Sequence, residues 1–86
     1  MYYIYVLKSE SNKKWYTGST INLRKRFKEH NNGKSNWTKK GIPWKPVYYG
    51  ACLNEEDARS REIYLKSGMG KRYLKNRLKR SLSLTG

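Results

Sequence analysis

The chain has 86 residues, 20 of them Lys or Arg against 6 Asp or Glu, for a formal charge of +14. Its length suits one domain with a thin core, and no run approaches the about 20 apolar residues of a membrane crossing. A lone cysteine, Cys52, excludes an internal disulfide, and no Cys/His cluster suggests zinc. Positive charge at this density repels itself in a compact fold and suits a polyanionic partner. Nucleic acid leads, because phosphates release counterions to lysine and arginine. An anionic membrane surface and a ribosomal association are the rivals, the first weakened by the lack of one long amphipathic basic helix. The start, Met1-Tyr2-Tyr3-Ile4, has no basic run of a signal peptide, so a reduced cytoplasmic setting is expected.

Residues 2–7, Tyr-Tyr-Ile-Tyr-Val-Leu, are aromatic, β-branched or aliphatic throughout and read as a strand covered on both faces. Period two puts Tyr3 and Tyr5 on one side, Tyr2 and Ile4 on the other. A polar turn over 8–14 leads to a second strand at Trp15-Tyr16-Thr17-Gly18. Asn22 is a good N-cap for a helix that Asn31-Asn32-Gly33 ends. Residues 33–46 collect loop formers, and 47–53 form a third strand. Asn54 caps a second helix with Glu55, Glu56 and Asp57 in its first turn, where the dipole favours acids. A third, basic helix is expected over 71–82, with a frayed tail at 81–86. The order is ββαβαα, an α+β fold with a small antiparallel sheet flanked by helices over residues 1–80.

On the first helix, Leu23 and Phe27 mark the apolar side, and Arg26 and His30 fall beside it, one turn apart. They are either an arginine stem covering apolar surface and a histidine closing a helix, or a pair that reaches a common ligand. In the second helix Glu62 falls between the inward Ala58 and Leu65. A carboxylate so directed needs an ion pair, with Arg61 or Arg26, or a metal. One carboxylate leaves most Mg²⁺ ligands to water and phosphate, which is normal for that ion. Tyr16 precedes Thr17-Gly18, where glycine lets a phosphate approach the backbone. For Tyr16 to act as a general base, its phenol, with a reference pKa of about 10, must be lowered by nearby cations or relay a proton through water. The segment Lys71 to Arg80 carries six cations, read as a phosphate-contacting ridge through Lys71, Arg72, Lys75 and Arg77, with Gly18, Ser19 and Lys25 as further nucleic-acid contacts. Trp37 and Trp44, in the basic loop, either stack on bases or cover the core. Gly68-Met69-Gly70-Lys71 fails the spacing of a phosphate-binding loop.

Taken in order, Tyr3-Ile4-Tyr5, Tyr16-Thr17-Gly18, Arg26 and Glu62 resemble the signature of the GIY-YIG nuclease superfamily, and in particular its small single-domain bacterial members. The similarity runs from Tyr2 to about Asn76. Tyr3 stands for the first glycine of the signature and Thr17 for the second isoleucine, and Ser19 stands where excision-repair branches carry a lysine. His30 falls where members have His or Tyr, and Asn76 near a late asparagine of some. The resemblance implies a three-stranded antiparallel sheet and a single-metal phosphodiesterase. In that scheme Glu62 holds Mg²⁺ or Mn²⁺, Arg26 offsets charge on the phosphoryl oxygens, and Tyr16, with Tyr5 or His30, activates the water. DNA is the expected substrate, branched or single-stranded forms included, with little intrinsic sequence preference and a protein partner supplying targeting. The alternatives are a non-catalytic nucleic-acid-binding module on the same fold and an RNA- or ribosome-associated protein.

Overall fold

A computed structural model describes residues 1–79. The frayed tail expected at 81–86, and the last turn of the expected third helix, lie outside the described residues. Strand β1 (Tyr2–Ser9) is the centre of a sheet with β2 (Trp15–Thr20) on one side and β3 (Trp44–Cys52) on the other. Both pairings are antiparallel, so the three strands match the sheet expected from the sequence.

The unbroken apolar run of β1 has the reason anticipated: helices cover both faces. Ile4 and Val6 pack with Ala58 and Leu65 of α2 (Glu55–Lys66) and Leu74 of α3 (Gly68–Arg77). Tyr5 and Leu7, pointing the other way, pack with Trp44 and with Leu23 and Phe27 of α1 (Leu23–Asn31). Alternation along one strand thus assigns α1 to one face and the α2–α3 pair to the other.

Helix starts follow their caps. The Asn22 side chain accepts from Lys25 N at 3.1 Å, and Asn54 from Glu56 N at 2.7 Å. Helix α3 begins at Gly68, three residues earlier than its composition predicts, because the Ser67 hydroxyl caps it by accepting from Gly70 N. The cap turns Gly68-Met69-Gly70 from a loop into a first helical turn.

Strand β3 also begins earlier than predicted, at Trp44, with Pro46 inside it. As an edge strand it tolerates a missing N–H, and the ladder shifts register beside Pro46. Trp44 is therefore a core residue rather than a platform for bases. It is 6% exposed, its Nε1 donates to Thr38 O at 2.6 Å, and Asn31 bonds both its N–H and its carbonyl. Trp37, in the same loop, is 91% exposed.

Candidate active site

The edge strand β2 organises the site. Gly18 lies opposite Tyr5 and Tyr16 opposite Leu7, so both belong to the α1 face, while Ser19 and Thr17 belong to the α2 face. The Tyr5 hydroxyl and the Tyr16 ring both lie against Gly18. A Cβ there would stand 2.6 Å from the Tyr5 hydroxyl and 3.2 Å from the Tyr16 ring. Only glycine lets Tyr5 lie flat against this backbone.

On the α1 face the aromatic groups form one tilted, edge-to-face cluster. The Tyr16 ring meets the edge of His30 at a centroid distance of 5.0 Å, and Tyr5 lies 6.3 Å from Tyr16. The Tyr5 hydroxyl is 2.8 Å from His30 Nε2, and His30 Nδ1 is 2.7 Å from Thr38 Oγ1. His30 is fully buried, not at the border of the helix as its position beside Leu23 suggests. Burial, and then the positive charge of Arg26, pull its pKa down to about 4, so it is neutral at pH 7. Burial likewise pushes the Tyr5 phenol up to about 12, against the opposing pull of Arg26. Tyr5 therefore keeps its proton and serves as a hydrogen-bonding group.

Arg26 is held more firmly in its charged form, first by its interaction with the Tyr5 hydroxyl, with Tyr16 and Glu29 adding to it. Its guanidinium also pairs with Glu29 at 3.6 Å, one helical turn away. Three groups expected at the site, Tyr5, Tyr16 and Arg26, thus lie together, with His30 behind them.

Glu62 arrives from the other face. Its side chain is 21% exposed, at the rim of the core and not within it. Oε1 accepts from the Ser19 hydroxyl at 2.7 Å and Oε2 from Lys66 Nζ at 2.8 Å. The pairing partner is thus Lys66, one turn on, in place of Arg61 or Arg26. Burial works against ionisation of Glu62. The hydrogen bonds from Lys66 and Ser19, with the charges of Lys66 and Arg59, outweigh it and hold the carboxyl below its usual range. Glu62 lines an open hollow of about 460 Å³ with Ser19, Thr20, Glu55 and Arg59. One strand separates it from the phenols, and its charge is felt at the Tyr5 hydroxyl.

The donor set suits a hard divalent cation in one way only. Among the described residues no three His, Cys, Asp or Glu side chains gather as a metal cage. What exists is an ionised carboxylate and a serine hydroxyl facing an open hollow, which leaves the remaining positions to water and phosphate. Mg²⁺ or Mn²⁺ fits such a site; a closed zinc centre does not.

Lys25, Lys71, Arg72, Lys75 and Arg77 are all exposed, the last four along α3 on the side of the sheet away from α1. Two residues escaped the sequence reading. Lys66 was legible as a lysine four residues after Glu62 on a helix. Thr38 had no local signal, since the loop alone brings it to His30.

A family model described as the GIY-YIG catalytic domain matches residues 1–79. The chain belongs to the GIY-YIG family. Its relatives include a UPF0213 protein of Clostridium perfringens, 45% identical over 67 residues, which cover 77% of this chain and 71% of that one. A UPF0213 protein of Pediococcus pentosaceus is 35% identical over 85 residues, covering 98% and 88%. UPF0213 protein YazA of Bacillus subtilis is 35% identical over 66 residues, covering 76% and 66%. No solved structure matches the chain. Among the described residues, no helix of this GIY-YIG protein is long and apolar enough to cross a membrane.

Proposed function

We propose that this GIY-YIG domain is a metal-dependent endonuclease that hydrolyses phosphodiester bonds in DNA with little sequence preference of its own. The observation that carries this reading is the edge of β2. Gly18 opens the backbone beside Tyr5, Tyr16 and Arg26, and the next residue, Ser19, holds Glu62. A phosphate laid across that edge meets a guanidinium on one side and a carboxylate on the other.

Glu62 and Ser19 would hold Mg²⁺ or Mn²⁺, which when bound supplies positive charge for the leaving oxygen. Arg26 offsets the charge that grows on the phosphoryl oxygens. Tyr16 orients the attacking water, whose oxygen adds to phosphorus as the bond to the leaving sugar oxygen breaks. Tyr5, its hydroxyl fixed by His30 Nε2 at 2.8 Å, keeps its proton and steadies Arg26, while the water's proton leaves to solvent and the leaving oxygen takes one up. A histidine neutral at pH 7 keeps Nε2 as an acceptor for that hydroxyl's hydrogen bond. Lys66 must leave Glu62 for the cation to enter, and its exposed side chain permits this.

That ion pair also favours a second reading. With both oxygens of Glu62 occupied, the domain is a nucleic-acid-binding module without hydrolysis, in which the basic surface supplies the affinity. One experiment separates the two. Purified protein is incubated with supercoiled, single-stranded and branched DNA and with RNA, across Mg²⁺ and Mn²⁺ concentrations. Cleavage should fall about 100-fold or more in Glu62→Ala and Arg26→Ala, and clearly in Tyr16→Phe, while Glu62→Ala keeps its DNA binding. Cleavage unchanged in all three variants would reveal a contaminant and end the enzyme reading. Metal-dependent cleavage absent from the parent protein would leave the binding module.

A further inference from the structure

Helix α1 covers only part of the sheet face on which it packs. Leu23 and Phe27 reach Leu7 and Trp44, but Tyr3 and Tyr49, on the same face, stand beyond them. These two tyrosines wall an open groove of about 590 Å³, also lined by Tyr5, which lies opposite Tyr49 and two residues from Tyr3. Tyr49 is 62% exposed. A second hollow, of about 440 Å³, follows the outer side of α1 past Arg24, Lys25 and Lys28. Asn22 and Arg24 line both, so an aromatic slot opens directly beside a cationic strip.

A nucleotide has the complementary shape: an apolar, flat base joined to a phosphate. The groove has the volume of a small-ligand site, and phenol faces stack on any base. A base within an intact duplex is stacked and paired, and cannot enter. Tyr3 stands where the signature has glycine, and a glycine there would leave this wall of the slot missing.

We propose that this groove is a subsite for one unpaired nucleobase of the bound strand, with the adjoining backbone phosphate on Arg24, Lys25 and Lys28. The inference rests on the nucleic-acid reading above and narrows it: the preferred substrate carries an unpaired base, in a single strand, bulge or flap, beside the bond to be cut.

The test is a binding measurement without divalent metal, so that cleavage plays no part. The probes are oligonucleotides with 2-aminopurine in a single strand, in a one-base bulge and paired in a perfect duplex. The parent protein should quench the unpaired probes and bind them more tightly than the duplex. Tyr49→Ala and Tyr3→Ala should each abolish the quenching and weaken binding to unpaired probes about tenfold, with duplex affinity unchanged. Tyr49→Phe should keep both. Tyr3 is half-buried, so the exposed Tyr49 carries the test if Tyr3→Ala does not fold. Quenching that survives in Tyr49→Ala, or equal affinity for paired and unpaired probes, would overturn the subsite. Nucleic acid bound without any quenching would do the same and would leave the groove to a protein segment. Failure to bind any probe would instead overturn the nucleic-acid reading itself.

Discussion

His30 is the residue whose surroundings matter most to its chemistry. Its imidazole has a hydroxyl partner on each nitrogen, and protonating it in place would cost desolvation and repulsion from Arg26. Its pKa falls from 6.5 to about 4 on folding. At this site the unfolded chain therefore binds more protons between those values, and the histidine's contribution to stability must fall as pH drops from 6.5 to 4 and flatten below. The loss amounts to roughly 3 kcal/mol. Urea unfolding midpoints measured across this range should show the slope in the parent protein and lack it in His30→Gln. A parallel slope in the variant would assign the effect to other groups. Sequence placed this histidine near Arg26 correctly in spacing. Its depth depended on Thr38, eight residues on, and on the Tyr5 hydroxyl from a different element.

The junction of α2 and α3 shows how elements set one another's limits. Ser67 ends α2 by donating to Tyr64 O and starts α3 by accepting from Gly70 N. The turn is tight enough that a Cβ on Gly70 would stand 1.9 Å from Tyr64 O and 2.6 Å from the Leu65 Cα. Both neighbours are backbone, so α3 would have to move off Leu65 and Leu74 would lose its place in the core. Gly70→Ala should cost about 3 kcal/mol in chemical denaturation. Gly68→Ala, in the same turn but with nothing within 4 Å of its Cβ, should be neutral or gain up to about 1 kcal/mol through helix propensity. Equal effects of the two would show that close packing is not what distinguishes them. The caps at Asn22 and Asn54 were legible because their signal is local, whereas that of Ser67 was hidden by two glycines that look like a loop.

Across the whole molecule, an excess of 14 positive charges makes affinity for nucleic acid strongly dependent on salt. Each phosphate neutralised on a single strand adds about 0.7 to the slope of log K against log salt concentration. If the α3 ridge lies on the backbone, replacing Lys71, Arg72, Lys75 and Arg77 together by Ala should lower that slope by roughly 3. An unchanged slope would show those side chains to be a solvated face, with α1 as the phosphate strip.

The sequence by itself determined the three strands, the two faces of β1, the helix caps at Asn22 and Asn54, and the family signature, because each is written in near neighbours at fixed period. It also determined the charge that selects a polyanion. Only the tertiary structure decided that Trp44 closes the core, that His30 lies behind Tyr5, that Lys66 holds Glu62, and that Tyr3 and Tyr49 leave a slot open. Those facts depend on which distant side chains share a small volume. Composition and spacing constrain the periodicity of one element, but not the distance at which another element packs against it.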